Sequence, residues 1–262
     1  SRGLGDVYKR QAPIAAAGRQ VENFNERQER AEQGANRVKS VWSKMGGLIR
    51  TAMAAFSAKK IVELADSMTT TRARLDLMND GLQTTAELQD MIMASANRSR
   101  ASYQATADAV SKIGIMAKDA FNSNEELIAF SELINKQFTI AGTSAAGIDA
   151  AMLQLTQAMS SGVLRGEELN SIFEQAPTII QTIADYLGVP IGKIREMAAE
   201  GQITSEIVKN AMLASADEIN AKFEQMPMTF SQVWTIAKNT ILEAFTPVLT
   251  MIGQGAQWIY DN

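Results

Sequence analysis

From Val21 onward one set of positions stands out: Val21, Phe24, Gln28, Ala31, Ala35, Val38, Trp42, Met45, Ile49, Ala52 and Phe56 follow one another in steps that alternate three and four without a slip. That spacing lines one face of an α-helix and does not fit the two-residue period of a strand. It is a heptad seam, but a weak one. Gln28, Ala31 and Ala35 bury little surface, and Gly34, Gly46 and Gly47 each cost about 1 kcal/mol relative to Ala in a helix. A long helix that needs a partner is expected, with Gly46-Gly47 its weakest point. The seam then drifts through Ile61, Leu64, Met68, Leu75 and Met78 and ends at the turn signal Asn79-Asp80-Gly81.

Beyond Gly81 the apolar stripes shorten. Leu88, Met91 and Ile92 mark a helix over residues 82–98, and Val110, Ile113 and Met116 another from Ser102 or Tyr103 to Phe121. Asn124 is placed to cap the next, which carries Leu127, Phe130, Leu133, Ile134 and Phe138 and stops at Gly142. Ile148, Met152, Leu155 and Met159 line a further face. From Leu169 to Leu187 one stripe is interrupted by Pro177, read as the first residue of a new helix, and Pro190 opens the following one. Thr204 starts a helix that takes in Ile207, Ala211, Ile219 and Phe223. Pro227 ends it, and Phe230, Val233, Trp234, Ile241 and Phe245 mark the last. Apolar residues make up 46% of the chain, aromatic residues only 6%, and there are five prolines, a blend that favours helices throughout. The expected fold class is all-α: a long N-terminal amphipathic, coiled-coil-like helix over residues 12–80, a compact multi-helix domain over 81–245, and the start of a further helical region at 246–262.

The chain has no cysteine and no histidine, which removes disulfides, thiolate nucleophiles, Cys/His zinc sites and His-based triads. A net charge of −4 does not suit nucleic-acid binding, and in the most basic stretch, residues 19–50, Glu22, Glu26, Glu29 and Glu32 cancel much of the field. Gly188-Val189-Pro190-Ile191-Gly192-Lys193 is one residue short of a phosphate loop, with Ile194 where Ser or Thr is required. Glu125-Glu126 and Glu167-Glu168 have the composition of a glycosidase acid pair. Adjacent helical residues point about 100° apart, however, and carboxylates at helix starts are stabilised by the helix dipole. Residues 191–215 have helix-turn-helix spacing, but the second helix would present Glu206 to phosphate. Residues 244–260 carry no charge but are just short of a membrane span and contain Pro247, Gly253 and Gly255.

The termini are expected to be those of a truncated fragment. Asp6-Val7-Tyr8-Lys9-Arg10-Gln11 resembles the translation of a transposase end sequence used in preparing sequencing libraries, so residues 1–11 are set aside as non-native.

Ser161-Gly162-Val163-Leu164-Arg165-Gly166-Glu167-Glu168-Leu169-Asn170-Ser171-Ile172, followed by Glu174-Gln175-Ala176-Pro177, resembles the core of the phage tail tape-measure family. So do Ala120-Phe121-Asn122-Ser123-Asn124-Glu125-Glu126, Leu187-Gly188-Val189, the run from Met197 to Thr204, and Met226-Pro227-Met228-Thr229. The resemblance covers roughly residues 66–245. It implies a long helical protein of the virion tail interior that sets tail length and scaffolds tail-tube assembly, present in the bacterial cytoplasm during assembly. The implied partners are the tail-tube protein, tail assembly chaperones and tail-tip proteins, with self-association through helices. Leu164, Arg165, Gly166, Glu167, Glu168, Leu169, Gln175, Ala176 and Pro177 form the family-like motif. No catalytic residue, cofactor or metal is implied. The alternative within the same setting is an envelope-penetration component of a phage tail, membrane-active or peptidoglycan-degrading.

Overall fold

The helices begin where a hydroxyl can take up a free backbone amide. Thr84 Oγ1 accepts from the Glu87 amide at 3.2 Å while the Glu87 carboxylate accepts from the Thr84 amide at 2.8 Å, a reciprocal capping box. Ser123, Ser144 and Thr204 cap in the same way, each at 3.2 Å from the amide three residues on. The stops are as specific: Gly142 and Gly188 take left-handed conformations, φ 69° and 67°, and close the helices before them.

A computed structural model describes residues 58–261. It consists of α1 (Ala58–Met78), α2 (Thr85–Arg98), α3 (Tyr103–Met116), a single 3-10 turn (Lys118–Ala120), α4 (Asn124–Ala141), α5 (Ala145–Ser161), α6 (Gly166–Gln175), α7 (Pro177–Leu187), α8 (Ile191–Ala199), α9 (Ser205–Ala214), α10 (Ala216–Glu224) and α11 (Phe230–Asp261). Among the described residues there is no strand, and the single extended pairing is an isolated antiparallel bridge between Val163 and Thr204. The all-α expectation holds. The heptad stretch at 21–56 and the string at 1–11 lie outside the described residues.

The helix α4 is the hub. It is buried on nearly every side, with Leu127, Ile128, Phe130, Ile134 and Phe138 inaccessible, and it packs against α2, α3, α7, α9 and α10. On one flank α1 lies against α3 and α11, burying Ala65, Leu75 and Met78 in the same continuous core. The expected boundary at 80/81 therefore falls in a turn, where Asn79 Oδ1 accepts from the Gly81 amide at 2.9 Å, between two helices that share that core. On the other flank α5, α6, α7, α8 and α9 pack among themselves.

Three local expectations are corrected. The helix expected to run to Phe121 ends at Met116, and Phe121 leaves it to pack its ring 5.3 Å from that of Phe130. Ser123, not Asn124, caps α4, and Asn124 is its first residue. The helix expected to run unbroken from Thr204 through Phe223 divides at Ser215 into α9 and α10. Val208, Ala211, Met212, Ile219 and Phe223 keep a common helical phase across that break, so periodicity carries no trace of it.

Candidate functional site

The family-like motif is a junction of five helices. At the end of α5 Gly162 adopts φ 80°, a left-handed turn that suits glycine. The chain then extends: Val163 faces Thr204, the Leu164 amide donates to the Ile203 carbonyl at 2.7 Å, and the Ser205 amide donates to the Gly162 carbonyl at 2.9 Å. Leu164 and Ile203 are both fully buried beneath this pairing. Two segments forty residues apart are thus fixed edge to edge, just before α6 and α9 begin.

Arg165 occupies the extended position ahead of α6, and its carbonyl accepts from the Leu169 amide at 2.8 Å. Leu169 and Ile172 enter the core, and buried Ala176 forms the elbow to α7, with Pro177 at the first helical position. The Gln175 carbonyl accepts from Thr143 Oγ1 at 2.5 Å, and its amide side chain lies against the bare backbone of Gly147, where a Cβ would collide with Gln175 Oε1. Arg195 of α8 stacks over the Phe173 ring, 4.5 Å from its centre. Each motif residue that enters the interior therefore ties α6 to α5, α7, α8 or α9.

Apart from Pro177, the outward-facing residues are polar. Glu167, Asn170, Glu174, Pro177 and Gln181 are exposed along the α6–α7 elbow in steps of three and four, and Arg165 is exposed beside them. Glu168 is half-buried in the first turn of α6, next in sequence to Glu167. Adjacent helical positions point these two carboxylates about 100° apart, and the first turn of a helix favours their negative charge. Among the described residues no group of three acidic, His or Cys side chains is placed to hold a metal ion.

The other sequence motifs also resolve into helix ends and interior packing. Gly188 closes α7, Pro190 precedes α8, and the Lys193 ammonium pairs with Glu196 at 2.6 Å. The helix α9 buries Val208, Lys209, Ala211, Met212 and Leu213 against α4, α5 and α7, and the residues it leaves exposed, Glu206 and Ala214, include no cation to meet a phosphate. The last helix, α11, continues through Pro247. It buries Ala237, Leu242 and Leu249 while exposing Phe230, Trp234, Met251 and Trp258. Among the described residues no helix is long and apolar enough to cross a membrane.

Sequence reasoning missed two polar arrangements. Glu132 of α4, 5% exposed, accepts from Arg98 Nη2 at 2.7 Å and from Lys136 Nζ at 2.6 Å, and Lys136 also donates to Asn220 Oδ1 of α10 at 2.7 Å. Burial alone would raise the Glu132 carboxyl, but the two cations outweigh it and hold it below the ordinary range. Arg100 is the one described non-glycine residue with positive φ, 58°. Its guanidinium donates to the Met226 carbonyl at 2.9 Å and lies 4.3 Å from the centre of the Phe223 ring. An open groove of about 830 Å³ runs from Arg100 along α3 and α5 to Thr235, with Ala105, Ala109, Met152 and Leu153 among its walls. Its charged residues, Arg100, Asp108, Lys112 and Asp149, balance in sign.

A model of the family described as tape measure protein matches residues 59–247, from the start of α1 to Pro247 in α11. No curated protein and no solved structure matches the chain.

Proposed function

The chain belongs to the tape measure protein family, and from that premise we propose that it sets the length of a phage tail and scaffolds the tail tube as it assembles. Family membership places it among the structural proteins of the phage tail, in association with other tail components. The finer reading adds the tail-tube protein, the assembly chaperones and the tail-tip proteins as its partners.

The observation that carries this reading is the family match over nearly all the described helices. Two features support it. The family-like motif is spent on joining helices rather than on gathering reactive groups, as a structural part requires. The stretch before α1 has a heptad seam too weak to hold alone, which suits a helix that finds partners inside a tube, and a helix advances about 1.5 Å per residue.

The test is to duplicate residues 21–55 in frame, about five heptads, in the phage that encodes the chain and to measure tails by electron microscopy. If the stretch is part of the ruler, tails lengthen by about 50 Å, the α-helical rise over that many residues. Tails of unchanged length would remove these residues from the ruler.

A further inference from the structure

The helix α10 has nine residues, of which Ala216, Ile219 and Phe223 alone are buried, and it packs against α4 with a smaller contact to α9. Ser215 gives it no side-chain cap, and Gln225, Pro227, Met228 and Thr229 beyond it are exposed. Polar contacts hold this stretch beside those apolar ones. Lys136 Nζ donates to Asn220 at 2.7 Å, Arg100 Nη1 donates to the Met226 carbonyl at 2.9 Å, and the Phe223 ring has Arg100 at 4.3 Å and Lys136 at 5.5 Å from its centre. Arg100 is aimed at these partners by a left-handed backbone that a side-chain-bearing residue adopts at a cost.

We propose that α10 and the connection through Thr229 form a strap that lifts off α4 as one unit while the rest of the bundle stays folded, with Phe223 held by Arg100 and Lys136 as its clasp. Few buried apolar contacts and polar anchors that water can replace are the marks of a segment that opens locally. Both ends of the strap are fixed. Leu213, at the end of α9, is in the core, and α11 is tied down by buried Asn239, which donates to the Ala101 carbonyl at 2.9 Å. Lifting returns the Lys136 ammonium to water and adds Phe223 and Met226 to a surface that already exposes Met228 and Phe230. The inference concerns this fold alone and stands apart from the tail-length reading.

Native-state hydrogen exchange of the full chain in sub-denaturing urea, resolved by peptide mass spectrometry, tests it. The amides of α10 should exchange through an opening that leaves α4, α9 and α11 protected. Phe223→Leu keeps the apolar contact but removes the ring face, and should speed exchange in α10 about tenfold with no change in α2 or α5. Arg100→Gln, at a half-buried site, should give the same selective effect from the other side of that contact. If α10 in the unaltered chain exchanges together with α4 at every urea concentration, the strap does not exist. If either variant accelerates exchange evenly through the molecule, the clasp assignment is wrong.

Discussion

The amide of Tyr103 donates to Oδ1 of Asn239 at 2.9 Å, across 136 residues of sequence, at a site where Tyr103 is fully buried and Asn239 is 3% exposed. The same side chain donates through Nδ2 to Asn97 Oδ1 and to the Ala101 carbonyl, both at 2.9 Å. One amide thus serves the first free N–H of α3, a carbonyl of the α2–α3 connection and a side chain of α2, and it joins all three to α11. Helix ends leave such groups without internal partners, and burial makes an unpaired one costly.

Asn239→Leu is close in volume and removes all three bonds. The variant should lose about 2–4 kcal/mol, since each buried group left unpaired costs roughly 1–3 kcal/mol and part of that is recovered by relaxation. Urea denaturation followed by circular dichroism reads this directly. A loss below about 0.5 kcal/mol would mean that water reaches the site and that Asn239 does not hold α11 in place.

The Glu132 site gives the fold a dependence on acid. Burial raises its carboxyl, but Lys136 and Arg98 more than offset that, so it titrates lower in the fold than its ordinary value of 4.5. A carboxyl depressed by folding contributes stability that is complete above its unfolded value and is withdrawn as pH falls from there through the folded value. Denaturation at a series of pH values should therefore show stability falling below about pH 4.5, and Glu132→Gln should flatten that limb. At neutral pH the variant leaves Lys136 buried beside an uncharged partner, and a loss of about 3–5 kcal/mol is expected. An acid limb of unchanged slope would show that other carboxyls dominate it.

The parts of this arrangement that were legible in the sequence are those whose cause is local. Pro177 at the head of α7, Gly142 as a helix stop, Thr204 as a cap and the turn at Asn79-Asp80-Gly81 each follow from the backbone preferences of one or two residues. Glu132 and Lys136 are four apart, a spacing that any exposed helical pair shares; Arg98 reaches them from another helix, and nothing in the spacing shows that the pair is buried. Asn239 lies in an apolar run like any tolerated polar residue. Its meaning depends on a helix end more than a hundred residues away. The pairing of Leu164 with Ile203 is likewise a tertiary fact. The motif resemblance found both segments but gave no sign that they touch.

That pairing yields a contrast within the motif. Leu164 is fully buried and Ile203 lies with it under the bridge, so Leu164→Ala leaves a void that the surrounding helices close only in part, at about 2–5 kcal/mol. Glu167 is exposed and Glu168 half-buried in the first turn of α6, where the helix dipole is their main partner, so Glu167→Gln and Glu168→Gln should each cost less than about 1 kcal/mol. The same urea series measures all three. If the motif is a structural junction, the leucine variant is much the weakest and the two glutamine variants melt close to the unaltered chain. If a glutamine variant instead proves more stable by several kcal/mol, the carboxylate it replaces is held under strain, as reactive groups are, and the junction would have to be read as a site for chemistry.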